Sequence, residues 1–281
     1  MLKEIDIEVI VSIAKDAGDA IMKIYNRDFQ IDYKDDNSPL TEADIKANEI
    51  ICRMLQKSYP EVPLLSEENN DVPYEIRNNW EYYWCIDPID GTKEFIEGNG
   101  EFTVNIALIH RDIPVLGVVY VPVLGEMYFA KQREGAYKML VSAQWSLFDG
   151  MGNIMKLPLL EEENRKEKDE IVVVVSKSHL TKETENFIST LTTKDKRVKT
   201  ISKGSSLKLL MVAEGSADIY PRLASTMEWD TAAADAIVRE SGKMTYQYIS
   251  NKHASDLKPL VYNKVNLLNP WFIVGEVIIN G

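Results

Sequence analysis

The chain has 281 residues, 45% of them hydrophobic and 27% charged, with a formal net charge of −12 at pH 7. That length favours two domains, and the composition is that of a soluble globular protein able to bury a sizeable core. The negative balance argues against a nucleic-acid polymer or an anionic membrane as partner, since both need a basic footprint. An anionic substrate would be repelled unless the site concentrates cations.

In chain order, Ile10, Ile13, Ala17, Ile21 and Ile24 recur at helical spacing with Lys15, Asp16, Asp19 and Lys23 between them, an amphipathic first helix. Acids run through the apolar positions of this N-terminus, which is not the pattern of a signal peptide, and no apolar run reaches bilayer length. The expectation is a soluble, cytoplasmic protein without membrane insertion. The loop "DNSPLTEAD" leads into a second helix over about Glu42 to Ser58. Thr41 is its natural N-cap, Asp44 stands at the N3 position of a capping box, and Tyr59-Pro60 marks its stop.

Short strands follow. "VPLLSEE" ends on acids, and Tyr82 to Ile86 reads as a buried strand that Pro88 and Gly91 cannot continue. "FTVNIALI", "VLGVVYVP" and "EMYFAKQ", separated by the turn signals "HRDIP" and "VLGE", describe an antiparallel meander. The charged run from Glu161 to Glu170 reads as a solvated linker. Beyond it, "IVVVVS" has the continuous β-branched character of a strand covered on both faces. Helices are expected around Lys182 to Leu191 and Ser206 to Glu214, with a strand at "ADIYP". A further helix, "DTAAADAIVRESG", opens at Asp230 and closes at Gly242. The pattern divides the chain into an N-terminal α+β domain, 1–158, and a C-terminal α/β domain, 159–281.

The two cysteines, Cys52 and Cys85, sit in a helical pattern and an apolar strand, away from any Cys/His cluster. Both read as core thiols in a reducing compartment. The three histidines, His110, His179 and His253, show no zinc spacing.

Chemistry concentrates in acids at the ends of apolar segments: Asp44, the pair Glu67-Glu68, Asp87 and Asp90 in "WCIDPIDGTKEF", and Asp230 after Trp229. Taken singly, each also has an ordinary role: Asp44 and Asp230 as helix caps, Asp87 and Asp90 as turn residues, Glu67 as solvated surface. Together they suit a hard cation. Mg²⁺ takes oxygen ligands and is usually held by one or two carboxylates plus substrate phosphate. Three or four carboxylates could hold two such ions, roughly 3.5–4 Å apart, and thereby attract a phosphate ester to an acidic protein. The Thr92 hydroxyl, directly behind the acids, could align an attacking water whose proton an acid such as Asp44 takes.

At these residues the chain resembles the inositol monophosphatase superfamily of Mg²⁺-dependent, lithium-sensitive phosphatases, through "DPIDGT", the preceding "LLSEE" and the later "EWDTAAADA". "DNSPLTEAD", "DPIDGTKEFIEGNGEFTVNIALI", "VVSKSH", "GSSLKLLMVAEGSADIYPR" and "LLNPWF" are similar, in order along nearly the whole chain, to its CysQ-type branch of 3′(2′),5′-bisphosphate nucleotidases. The resemblance implies a layered αβαβα sandwich with metals in a crevice between its halves. It implies two or three Mg²⁺ ions, one held by Glu67, Asp87, Asp90 and the Ile89 carbonyl, another by Asp87, Asp90 and Asp230. Gly91 and Thr92 would present backbone N–H groups and a hydroxyl to the scissile phosphate, and Asp44 with Thr92 would activate the water. Ser205, Lys208 and His179 would contact the second phosphate or the nucleoside, although a helix lysine such as Lys208 can equally be a solvated one. Glu67, Ile89, Asp90 and Asp230 would also touch the substrate.

The implied activity is hydrolysis of the 3′-phosphate of adenosine 3′,5′-bisphosphate to AMP and phosphate, clearing a by-product of sulfur assimilation. An inositol-phosphate or sugar-phosphate phosphatase shares the same metal acids and is the alternative; a non-enzymatic metal or nucleotide sensor is a more distant one. Many relatives carry glycine where this chain has Ala234, and 141–168 matches no expected segment. The oligomeric state is not legible from the sequence.

Overall fold

The structure is a computed structural model that describes residues 1–34, 39–142, 154–159, 170–177, 180–192, 197–249 and 256–275. Helix α1 (Ile7–Tyr25) opens the chain, capped by the Asp6 side chain on the Glu8 N–H. A two-stranded hairpin, β1 (Ile31–Tyr33) and β2 (Pro39–Thr41), leads into α2 (Glu42–Ser58). The capping box expected at Thr41 and Asp44 is formed, and α2 has the bounds its sequence signals predict.

A seven-stranded sheet follows: β3 (Leu64–Ser66), β4 (Tyr82–Asp90), β5 (Thr103–His110), β6 (Ile113–Val121), β7 (Glu126–Lys131), β8 (Gly135–Leu140) and β9 (Ile154–Lys156), adjacent in that order. The short helices α3 (Tyr74–Arg77) and α4 (Thr92–Ile96) flank β4. From β4 to β9 the strands pair antiparallel, with the expected meander over β5 to β7 extended by β8 and β9, whereas β3 runs parallel to β4. A five-stranded sheet, in the order β11-β10-β12-β14-β13, is built from β10 (Glu170–Ser176), β11 (Arg197–Lys203), β12 (Ile219–Arg222), β13 (Thr245–Gln247) and β14 (Phe272–Gly275). Its helices are α5 (Lys182–Leu191), α6 (Leu207–Glu214) and α7 (Trp229–Glu240).

Period-2 alternation sorts the side chains of the large sheet into two cores. Trp84, Ile86, Val104, Ile106, Leu108 and Val118 pack with the apolar stripes of α1 and α2. Tyr83, Cys85, Ala107, Ile109 and Val119 face the other way, onto α6, α7 and Val174, Tyr220 and Phe272 of the smaller sheet. The outer face of that sheet, with Val173, Ile219 and Ile273, is covered by Phe187 and Leu191 of α5. The layers are therefore helix, sheet, helix, sheet, helix, the expected αβαβα sandwich.

The middle layer fits because its residues are small. Ala232, Ala233, Ala234 and Ala236 of α7 are all buried, and opposite them β6 carries Gly117. A Cβ at Gly117 would lie 2.1 Å from the Ala233 carbonyl oxygen, so only glycine permits this approach. Cys52 and Cys85 are free thiols, and burial pushes the Cys52 thiol up to about 11, so neither is primed as a nucleophile. Among the described residues no helix is long and apolar enough to cross a membrane. Most of the charged run, 161–169, and His253 lie outside the described residues.

Candidate active site

Strand β4 does not stop at Ile86. It continues through Pro88 to Asp90, correcting the expectation that a turn holds the two aspartates. Asp87 is paired with Asn105 and Asp90 with Thr103, so three steps on β4 match two on β5. This is a β-bulge, a place where a proline's missing N–H costs no ladder bond. Within it the Asp87 Oδ1 accepts the Ile89 N–H at 3.1 Å. Gly91, at φ 96°, then turns the chain into α4. A Cβ there would meet the Glu101 carbonyl oxygen at 3.2 Å and Glu94 Oε2 at 3.3 Å, so both conformation and space call for glycine.

Asp44 sits behind the bulge, 2% exposed, with its two oxygens differently engaged. Oδ2 accepts the Thr41 N–H at 2.7 Å and the Thr41 hydroxyl at 2.6 Å, while Oδ1 accepts the Thr92 hydroxyl at 3.1 Å. The residue is both the cap and the partner of Thr92. Burial pushes its carboxyl above the ordinary range, with the Thr41 and Thr92 bonds pulling the other way. A carboxylate so placed is a better proton acceptor than one in water.

Glu67, Asp87, Asp90 and Asp230 all line one cavity of about 540 Å³, with Ile89, Gly91 and Thr92 in its wall. Burial raises the Asp87 carboxyl well above its ordinary value, and Glu67, Asp90 and Asp230 raise it further. Burial raises Glu67 as well, opposed by Lys34, whose ammonium lies 2.7 Å from both Glu67 Oε1 and Glu68 Oε1. Asp230, in the first turn of α7, accepts the Met227 N–H at 2.9 Å; burial and then Asp90 push its carboxyl up to about 8.

The opposite wall comes from the second half of the chain. Ser205 and Ser206 each place a hydroxyl 2.9 Å from Asp90 Oδ2. Thr103 Oγ1 stands 2.7 Å from the Ser205 hydroxyl, and Asn105 donates to Ser206 Oγ at 3.0 Å. Lys208 is buried, not solvated. Its ammonium donates to the Ser205 carbonyl and lies 5.7 Å from the Tyr220 ring centroid, and burial lowers its pKa to about 8. Arg222 also lines the cavity, 8% exposed, and among the described residues its Nε has no hydrogen-bond partner.

The structure thus gathers Glu67, Asp87, Ile89, Asp90, Gly91, Thr92, Ser205, Lys208 and Asp230 around one cavity, with Asp44 directly behind Thr92. His179 lies outside the described residues. Ala234 is buried in the core and does not line the cavity, so its methyl does not shape the wall directly. Lys34, Thr103, Asn105, Ser206 and Arg222 belong to the site but were not singled out by the sequence. Ser206 and Arg222 fall inside the quoted "GSSLKLLMVAEGSADIYPR", so a signal for them was present.

The inositol monophosphatase family model matches residues 3–268, nearly the whole chain. The chain belongs to the inositol monophosphatase family. It is 40% identical over 273 residues to the 3′(2′),5′-bisphosphate nucleotidase CysQ of Escherichia coli strain K12, covering 96% of this chain and 99% of that protein. The CysQ homologue of Haemophilus influenzae is 33% identical, over 95% of this chain and 91% of that protein. Among solved structures, CysQ from Bacteroides thetaiotaomicron superposes with a TM-score of 0.80 at 45% identity, covering 95% of this chain and 96% of that one.

Metal-dependent phosphatases make up this family, and the donor set here suits a hard divalent cation. Five carboxylates line the cavity, Glu67, Asp87, Asp90, Glu94 and Asp230, with Ile89 in its wall to offer a carbonyl. Their mutual repulsion and burial, which drive Asp87, Glu67 and Asp230 toward protonation, are the strain that cations would relieve. Among the described residues, no three acidic, histidine or cysteine side chains close into a ready-made cage. An ion held here would draw the rest of its shell from water and substrate oxygens.

Proposed function

We propose that the chain is a Mg²⁺-dependent 3′(2′),5′-bisphosphate nucleotidase that hydrolyses the 3′-phosphate of adenosine 3′,5′-bisphosphate to AMP and phosphate. The observation that carries this reading is that one cavity has an acidic wall, Glu67, Asp87, Asp90 and Asp230, and a cationic wall, Lys208 and Arg222. A bisphosphate needs both: cations at the reacting phosphate and fixed positive side chains at the other. Tyr220, Met227, Trp229 and Phe272 add apolar surface to the same cavity. A flat nucleobase gains more from such surface than the hydroxyl-studded ring of an inositol or sugar does.

Glu67, Asp87, Asp90, Asp230 and the Ile89 carbonyl would hold two or three Mg²⁺ ions. When bound, these supply charge neutralisation at the phosphate and a lowered pKa for water. The chain's own groups do the rest. The Thr92 hydroxyl orients the attacking water, and Asp44 Oδ1, already its partner at 3.1 Å, receives the proton. The water oxygen bonds to phosphorus as the bond to the ribose 3′-oxygen breaks, and that oxygen takes up a proton from solvent water to leave as the AMP hydroxyl. The Gly91 and Thr92 backbone N–H groups face the scissile phosphate, and Ser205, Lys208, Arg222 and His179 receive the 5′-phosphate and nucleoside. On this reading the segments 1–158 and 159–281 divide the labour, the first bearing Asp44, Thr92 and most of the acids, the second the substrate contacts. The role that follows is clearance of a by-product of sulfate activation, in the cytoplasm.

Phosphate release from adenosine 3′,5′-bisphosphate, inositol 1-phosphate and fructose 1,6-bisphosphate, each with and without Mg²⁺, tests the substrate. A strong preference for the nucleotide is expected. Preference for inositol 1-phosphate would retain the acidic wall and remove Lys208 and Arg222 from the account; preference for fructose 1,6-bisphosphate would retain both walls and remove the apolar surface as a nucleobase site.

A further inference from the structure

Glu101 lies between α4 and β5, and its carboxylate reaches a loop about a hundred residues downstream. Oε2 accepts the Gly204 N–H at 2.9 Å, and Oε1 accepts the Lys203 ammonium at 3.0 Å. Gly204 is pressed onto this segment: a Cβ there would come 2.8 Å from Glu94 Cγ and 3.0 Å from the Glu101 carbonyl oxygen. The next residue, Ser205, has φ 52°, a left-handed conformation that a residue with a side chain adopts only when its surroundings impose it. In that conformation Ser205 and Ser206 both point hydroxyls at the same oxygen, Asp90 Oδ2. Two residues beyond Glu101, Thr103 touches Ser205 and is the strand partner of Asp90. Glu101 thus anchors one end of a loop whose other end fixes Asp90.

We propose that Glu101 is a positioning residue for the reaction, clamping the Lys203–Ser206 loop of the C-terminal half so that its two hydroxyls orient the Asp90 carboxylate. Glu101 does not line the cavity, and its carboxylate acts through Gly204, Ser205 and Ser206. The inference rests on the proposed role of Asp90 in phosphate-ester hydrolysis. The decisive bond is the backbone one from Gly204, because the Lys203 pair is partly exposed and such pairs contribute little.

The test compares the intact chain with Glu101→Ala, Glu101→Gln and Lys203→Ala. The readouts are kcat and KM for adenosine 3′,5′-bisphosphate and hydrogen exchange of peptides covering 203–209. Glu101→Ala is expected to lower kcat about tenfold to a hundredfold, the usual effect of losing a group that orients a ligand, with KM little changed. Exchange should accelerate at 203–209 and stay unchanged elsewhere. Glu101→Gln keeps an oxygen for the Gly204 N–H, and Lys203→Ala removes only the ion pair, so both should stay within about fivefold of the parent. A parent-like kcat and exchange rate in Glu101→Ala would overturn the proposal. So would a Glu101→Gln loss as large as that of Glu101→Ala, or faster exchange throughout the chain. If the parent itself releases no phosphate, the proposed function fails, while exchange at 203–209 still decides whether Glu101 holds the loop.

Discussion

The Thr92 hydroxyl donates to Asp44 Oδ1 at 3.1 Å, while Thr41 occupies the other oxygen of the same carboxylate through its N–H and its hydroxyl. One aspartate therefore starts α2 and faces the end of β4. The cap fixes the rotamer and leaves a single oxygen directed at Thr92, which is how a helix start becomes a rigid mount for the proposed proton acceptor.

Asp44→Asn separates these two roles. The amide oxygen can still accept from Thr41, so the stability loss should be at most about 1 kcal/mol, the scale of a weakened cap. Loss of the proton acceptor should lower kcat about a hundredfold or more. Thermal denaturation beside steady-state kinetics checks both, and near-parental turnover would leave Asp44 as a cap alone.

Asp90→Asn retains an oxygen for the Ser205 and Ser206 hydroxyls but loses the charge. The fold should be nearly intact and activity should fall by about two orders of magnitude or more, since charge stabilisation at the phosphate is worth several kcal/mol. Circular dichroism and phosphate release test this pair of outcomes; normal turnover removes Asp90 from the site.

Lys208→Met removes a buried ammonium that, among the described residues, is bonded to a carbonyl and not to a carboxylate. KM for adenosine 3′,5′-bisphosphate should rise about tenfold to a hundredfold, the weight of a charge-assisted contact, and KM for adenosine 3′-phosphate much less. Stability should hold or improve, because an apolar side chain of similar length replaces a desolvated charge. Equal effects on both substrates would show that Lys208 does not read the second phosphate.

Gly117→Ala probes the packing that delivers Asp230. With 2.1 Å between the added methyl and the Ala233 carbonyl oxygen, α7 must shift. Overpacking of this kind costs about 1–3 kcal/mol, visible as a lower melting temperature together with reduced kcat. An unchanged melting temperature would contradict the close approach of α7 to β6.

The elements legible in the sequence are those with local signals. Helix α2 is bounded by the Thr41–Asp44 box and Tyr59-Pro60, both within one turn of its ends. The acids around Pro88 were legible as candidates, but their bulge was not, because it depends on pairing with Thr103 and Asn105 rather than on proline itself. Lys34 meets Glu67 across 33 residues, and Ser206 meets Asp90 across 116, separations that no local pattern encodes. Lys208 was ambiguous because a lone helix lysine is normally solvated. Its burial follows from the position of α6 between two sheets, where Leu207, Leu209, Leu210, Val212 and Ala213 are buried as well.

On the proposed reading, Glu67, Asp87, Asp90 and Asp230 serve metal-dependent hydrolysis of a bisphosphate nucleotide. The most direct test is phosphate release from adenosine 3′,5′-bisphosphate by chelator-treated, dialysed protein as Mg²⁺ is added back. The account predicts no release without the ion and saturable recovery with it, lost again in Asp90→Asn. Release that is undiminished after chelation, or absent at every Mg²⁺ concentration, would contradict it.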